Sequence, residues 1–208
     1  MQSIYFVDSN FTYESSKKSI LSIRYATDGF SFCVHDETGK LVVFVHEPYA
    51  ADSREAAVAR LKNYVVNDAI LNLRFKKVYI MPCFKEKLLV PGAFFDKANI
   101  TTLYTVNQEI SPDDTILYHH IEGIEAYLVE TVISSFHDFV REHFPVFQIV
   151  NGAYPFILGA MGKALRDTEQ IFLDIQDNYF DLLFIRDSGI QLFNTFSYKA
   201  TTDIVYFL

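Results

Sequence analysis

In the stretch Gln170-Ile171-Phe172-Leu173-Asp174-Ile175-Gln176-Asp177-Asn178-Tyr179-Phe180-Asp181-Leu182-Leu183-Phe184-Ile185, two apolar runs flank one polar turn. Asp187-Ser188-Gly189 then marks a tight turn into a third strand, and a helix start follows near Asp203. The same order occurs earlier in the chain. Leu21-Ser22-Ile23, the Asp28-Gly29 turn, the turn from Asp36 to Gly39 and a helix near Asp52 repeat it. Two β-β-β-α units separated by α/β segments predict a duplicated α/β architecture.

The first copy is the clearer one. Phe30, Phe32 and Val34 alternate with Ser31, Cys33 and His35, so one face of the strand is apolar. Leu41, Val43 and Val45 continue the alternation within a meander from Ile20 to Pro48. Asp52 and Glu55 have capping-box spacing, and Val58, Leu61 and Val65 give the following helix one buried face, with its end expected near Arg74. Lys77 to Met81 reads as a buried strand stopped by Pro82.

Composition narrows the functional classes. A chain of 208 residues that is half apolar is an ordinary globular protein with enough length for one or two packed domains. A formal net charge of −8 opposes non-specific nucleic-acid or anionic-membrane binding. Cys33 and Cys83 read as buried thiols, which fits a reducing cytoplasm. No signal peptide is visible at Met1, and no apolar run reaches the ~20 residues that span a bilayer.

Elsewhere the pattern is uneven. Residues 1–18 read as an extended polar arm with Phe6 and Phe11 as anchors. Pro91-Gly92 marks a turn, and Leu103 to Val106 suits a strand. Ile116 to Ile121 reads as a strand before a turn at Gly123, and Ala126 to Val132 fits either a strand or a helix. Ser134 or Ser135 caps a helix with face Phe136, Phe139 and Val140, and Val146 to Val150 is a strand. Pro155 opens a helix with face Ile157, Ala160, Met161, Ala164 and Leu165, where Gly159 and Gly162 suggest close packing on a sheet.

Three constellations invite chemistry. Asp174, Asp177 and Asp181 resemble a nuclease cluster, but two-metal chemistry needs carboxylates converging from several strands, and none falls near Ser22 to Arg24. The reading favoured for them is one strand-end acid and two turn or edge residues. His119-His120 with Glu122 and Glu125 suggests zinc, yet adjacent strand residues face opposite ways, so a solvated strand end is expected. His35 and His46, possible cross-strand neighbours, have no third ligand nearby and read as an exposed sheet face. No metal site and no catalytic residue is assigned.

The two meanders resemble the actin-like ATPases, whose fold pairs two ribonuclease-H-like lobes around a nucleotide cleft. The whole chain, with Ser31-Phe32 after Asp28-Gly29, looks like an uncharacterised bacterial family, a domain of unknown function, and is distantly similar to the actin-like proteins of type IV pilus assembly. The resemblance implies an N-terminal arm at 1–18, a first lobe at 19–114 and a second lobe at 115–208. It also implies that family members run on past Leu208, so the second lobe is C-terminally incomplete. Working members place an Asp-x-Gly turn of each meander against phosphate, with glycine leaving room for backbone amides to meet the oxygens. Here Ser22-Ile23-Arg24 stands at the first turn and Asp174-Ile175-Gln176 at the second, with Ala200-Thr201 where a glycine pair is expected.

The resemblance thus implies a vestigial cleft marked by Asp174, Gln176 and Arg24, with no bound cofactor. Nucleotide hydrolysis is disfavoured, and the expected function is a non-catalytic scaffold or protein-interaction subunit in a bacterial cytoplasm. The implied partner is an unidentified protein, since pilus-type relatives bind a short peptide from a membrane partner. No nucleic-acid partner and no direct membrane insertion are expected, and the sequence specifies no oligomeric state. The alternative is an ATP-binding phosphotransferase or ATPase using Asp174 near magnesium.

Overall fold

The structure, a computed structural model, describes residues 2–207. Met1 and Leu208, the last residue of the apolar run 204–208, lie outside them. In chain order the elements begin with β1 (Ile4–Val7), α1 (Tyr13–Ser16), β2 (Ile20–Ala26), β3 (Gly29–His35), β4 (Leu41–Pro48), α2 (Arg54–Asn67) and β5 (Lys77–Pro82). Next come β6 (Lys87–Pro91), α3 (Ile100–Thr105), β7 (Asp114–His120), β8 (Ala126–Ile133), α4 (Ser134–His143) and β9 (Phe147–Ile149). The last are α5 (Ala153–Met161), β10 (Glu169–Ile175), β11 (Tyr179–Arg186), β12 (Gly189–Ser197) and α6 (Thr201–Tyr206).

Two compact units interleave along the chain. One holds Met1–Phe84, Asp113–Thr115 and Val132–Asn151, the other Lys85–Pro112, Ile116–Thr131 and Gly152–Leu208. This differs from contiguous lobes divided after residue 114. Three contacts tie residues 113–115 to the first unit. Ser134 donates its N–H to the Asp113 carbonyl at 2.8 Å, the Thr115 and Ser134 hydroxyls meet at 2.7 Å, and Arg54 pairs with Asp114 at 2.5 Å.

The first unit is built on an open mixed sheet in the order β1-β4-β3-β2-β5-β9. β2 and β5 run parallel, as do β5 and β9, while the meander β2-β3-β4 and its edge strand β1 are antiparallel. The alternating residues Leu21, Ile23, Phe32, Val34, Val43 and Val45 are all almost completely buried. The arm expected at residues 1–18 supplies β1 and a short capped turn, α1.

Helix α2 covers the sheet with Ala57, Val58, Leu61 and Val65, and complete burial of a leucine such as Leu61 contributes about 1.5–3 kcal/mol. Its N-cap is Ser53, whose hydroxyl accepts the Ala56 N–H, rather than Asp52. The helix stops at Asn67, short of Arg74, because Asp68 turns extended. There Asn72 donates its side-chain amide to the Val65 and Asp68 carbonyls at the helix end. Gly29 (φ +151°) sits where a Cβ would meet the Glu47 carbonyl oxygen at 2.7 Å, so the turn glycine serves close strand packing.

In the second unit, β10-β11-β12 form an antiparallel meander followed by α6, which matches the order β2-β3-β4-α2. Its β11–β12 turn places Asp187 and Ser188 both at positive φ, as a two-residue hairpin requires. A separate sheet runs β6-β8-β7, with Gly92 closing onto the Glu125 carbonyl at 2.6 Å. Residues 126–132 are thus strand rather than helix. Leu103 belongs to α3, not to a strand, since Ile100 and Tyr104 bury one helical face four residues apart.

Leu128, Ile157, Leu183 and Ile185 join α5, β8 and β11 in one core. The two helix glycines do not reflect close packing. A Cβ at Gly159 would meet nothing within 4 Å, and Gly162 ends α5 as its C-cap. Leu165, expected on the helix face, lies beyond the helix and is exposed. α4 has no side-chain cap, because Ser134 is already its first helical residue. Among the described residues no helix is long and apolar enough to cross a membrane.

Candidate functional site

The expected site residues fall in both units. Arg24 lies on β2 of the first unit, on the sheet face opposite Leu21 and Ile23. Its guanidinium reaches across the hairpin to Asp28 at 3.6 Å, an ion pair beyond hydrogen-bond distance. Ser22, two residues earlier on the same strand and face, carries no charge.

The second unit holds Asp174 and Gln176 at the end of the β10–β11 hairpin, both half-buried. Gln176 donates its backbone N–H to the Tyr179 carbonyl at 2.9 Å, and its own carbonyl accepts the Tyr198 hydroxyl at 2.5 Å. Beside this turn is a hollow of about 470 Å³, lined by Lys85, Asn178, Ser197, Tyr198, Lys199 and Asp203. The Asp203 carboxylate accepts the backbone N–H groups of Lys199 and Ala200 at 2.9 and 3.0 Å. Those two bonds hold its pKa below the usual 3.8. The two amides just before α6 therefore already carry an anion supplied by the chain itself.

Asp174 is in register with Asp181 on β11, which is in register with Thr195 on β12, so the three share one row of the sheet. Asp181 is only 2% exposed, in the middle of a strand, which corrects its reading as a turn or edge residue. A charge can sit there because it is paired. Lys87, 4% exposed on β6, donates to Asp181 at 2.8 Å, and the Thr195 hydroxyl donates to the same carboxyl at 2.6 Å. Burial nevertheless raises the Asp181 pKa above 3.8, against the lowering effect of Lys87 and Thr195. The Lys87 ammonium also lies 4.9 Å from the centre of the Tyr179 ring. Asp177, by contrast, is exposed in the turn.

Across β6 and β8, Lys87 is in register with Glu130, itself 1% exposed. His119 on β7 approaches Glu130 at 4.0 Å. Burial lowers the His119 pKa below 6.5, so the solvated strand end expected for His119-His120 holds only for His120, which rests on the Tyr127 ring. In the first unit, His46 pairs in register with Ser31 and bonds it at 2.8 Å, while His35 is opposite Leu41. The two histidines are not cross-strand neighbours. Among the described residues, no group of three or more His, Cys, Asp or Glu side chains could hold a metal ion. Cys33 and Cys83 are not joined in a disulfide.

Lys87, Glu130 and Thr195 escaped the sequence reading because nothing in their local pattern separates a buried charge from a solvated one. Asp203 was legible in principle, since an acid three residues after a helix start is a capping signal.

The family model described as "Protein of unknown function (DUF3822)" matches residues 8–208. The chain belongs to this family. No curated protein matches the sequence. Its structure is similar to that of a Bacteroides thetaiotaomicron protein described as having an actin-like ATPase fold and unknown function. The TM-score is 0.86 and the identity 22%, over 95% of this chain and 77% of that one. That likeness establishes the actin-like, ribonuclease-H-like α/β fold, with open sheets. Weaker likenesses are to a PilM–PilN type IV pilus biogenesis complex (TM-score 0.49, 12% identity, 86% of this chain and 61% of that one). A Ppx/GppA family protein of Aquifex aeolicus follows (TM-score 0.39, 9% identity, 86% and 51%).

Proposed function

We propose that this chain is a non-catalytic actin-like module, a scaffold or protein-interaction subunit of a bacterial cytoplasm, whose nucleotide cleft is vestigial. The observation that carries the reading is the internal use of the backbone groups at the β10–β11 turn and just before α6. The Gln176 N–H bonds the Tyr179 carbonyl, and the Asp203 carboxylate occupies the amides of Lys199 and Ala200. Phosphate binding at such a turn needs amides directed at the ligand and little side-chain volume beside them. Gln176 supplies a side chain where a glycine would leave room. In the other unit Arg24 faces Asp28, so its charge is partly offset within its own hairpin. Acidic net charge speaks against nucleic acid as the partner, which leaves protein surface as the favoured class.

Thermal unfolding with and without millimolar Mg-ATP tests this. Ligand at 100 times its dissociation constant adds about 2.7 kcal/mol, roughly 5–10 °C in a chain of this size. No shift is expected. A shift that disappears in Asp174→Ala would overturn the reading in favour of an ATP-binding phosphotransferase or ATPase working near Asp174.

A further inference from the structure

The second unit has a second concave surface between β6, the end of α3 and β12, which shares Lys85 and Ser197 with the hollow beside the β10–β11 turn. It is a cavity of about 460 Å³, within the range of small-ligand sites. Its charged and polar walls are Lys85, Lys87, Asn107, Gln108, Asn194, Thr195 and Ser197, with Leu88, Leu89 and Phe193 as apolar backing. Among the described residues the lining contains no carboxylate, although the chain carries eight more acidic than basic residues. Lysines, carboxamides and hydroxyls are what remain, and all can donate hydrogen bonds.

From these observations we infer that this cavity binds a small oxyanion, the phosphate or carboxylate group of a metabolite-sized ligand. Lys85 stands at the rim, with its side chain 57% exposed and Glu86 no nearer than 3.9 Å. Lys87 also lines the cavity, but its side chain is 1% exposed and its ammonium is held by Asp181, so the accessible cation is Lys85. Asn107 and Gln108 follow α3 and spend their backbone N–H groups on the Tyr104 carbonyl, which fixes the loop that presents their side chains. Asn194 turns its side-chain oxygen to the Thr195 N–H at 2.9 Å, so its NH2 group is the donor on offer. The Thr195 hydroxyl donates to Asp181, so it offers the cavity a position and not a proton. A ligand there would touch β6 and β12 together, joining two strands that belong to different sheets.

The test uses the full chain labelled with 15N. Side-chain amide resonances are followed while inorganic phosphate, or in a second arm succinate, is added at ionic strength fixed with sodium chloride. A saturable shift of the Asn107, Gln108 and Asn194 NH2 signals is expected in at least one arm. Saturation by phosphate alone assigns a phosphate group, by succinate alone a carboxylate, and by both the shared chemistry. Lys85→Gln, an exposed change that leaves the buried pair intact, should weaken binding about tenfold, and Asn194→Ala should also weaken it. Lys199→Gln, which alters the neighbouring hollow, should leave it unchanged. Linear, unsaturating shifts in both arms would overturn the assignment. So would equal affinity in Lys85→Gln, or a loss in Lys199→Gln as large as that in Lys85→Gln.

Discussion

Removing the buried ammonium of Lys87 should destabilise the second unit more than any surface change. Lys87 and Asp181 are 4% and 2% exposed and 2.8 Å apart, so neither can be rehydrated without opening the β6–β11 contact. Lys87→Met keeps the length of the stem but leaves Asp181 with the Thr195 hydroxyl and faces Glu130 across the strands with no cation. Breaking a buried pair from one side costs about 3–5 kcal/mol. At roughly 2–4 °C per kcal/mol, the midpoint should fall by roughly 6–20 °C.

Asp181→Asn keeps the shape and the hydrogen-bonding capacity, and leaves Lys87 opposite Glu130, so a smaller loss of about 1–3 kcal/mol is expected. The double variant should be less destabilised than the sum of the singles, because the charge stranded by each change is removed by the other. Urea unfolding followed by far-UV circular dichroism gives all four free energies in a chain without tryptophan. A loss in Lys87→Met below about 1 kcal/mol, or a coupling energy below about 0.5 kcal/mol, would refute the reasoning.

pH supplies an independent readout. The folded pKa of Asp181 lies above its unfolded value of 3.8, so the native state binds more protons between the two. Stability therefore falls as pH rises from 3.8 through the folded pKa. Lys87→Met should extend that fall to higher pH, and Asp181→Asn should abolish it.

Gly29→Ala should cost about 2 kcal/mol or more in urea unfolding, from the 2.7 Å approach to Glu47 and the positive φ together; a neutral result would mean that the hairpin can shift. Ser188→Gly should stabilise by about 0.5–1 kcal/mol, because φ +64° is unfavourable for any residue with a Cβ; a loss of stability would show a side-chain role for Ser188. His119 has a folded pKa below 6.5, so the unfolded chain takes up a proton first on acidification and stability is lost as pH falls below 6.5. His119→Gln should flatten that part of the profile, and a ring titration at or above 6.5 by NMR would contradict the burial.

The duplicated meander was legible because strand alternation is a local property. Leu21, Ile23, Phe32, Val34, Val43 and Val45 declare their face by spacing alone, and Asp28-Gly29 declares its turn. The helix limits were less so. Asn72 ends α2 by folding back on carbonyls up to seven residues away, a contact that no periodicity encodes. Around the candidate site the sequence named Gln176 and Arg24, but not what those residues bond.

Sequence by itself therefore determined the strand faces and the two meanders, each with its turn. Only the tertiary structure decided that Lys87, Glu130 and Asp181 are interior charges. Their neutralisation depends on β6, β8 and β11 meeting across more than ninety residues of chain, and a charge is affordable inside a protein only when its partner is already in place.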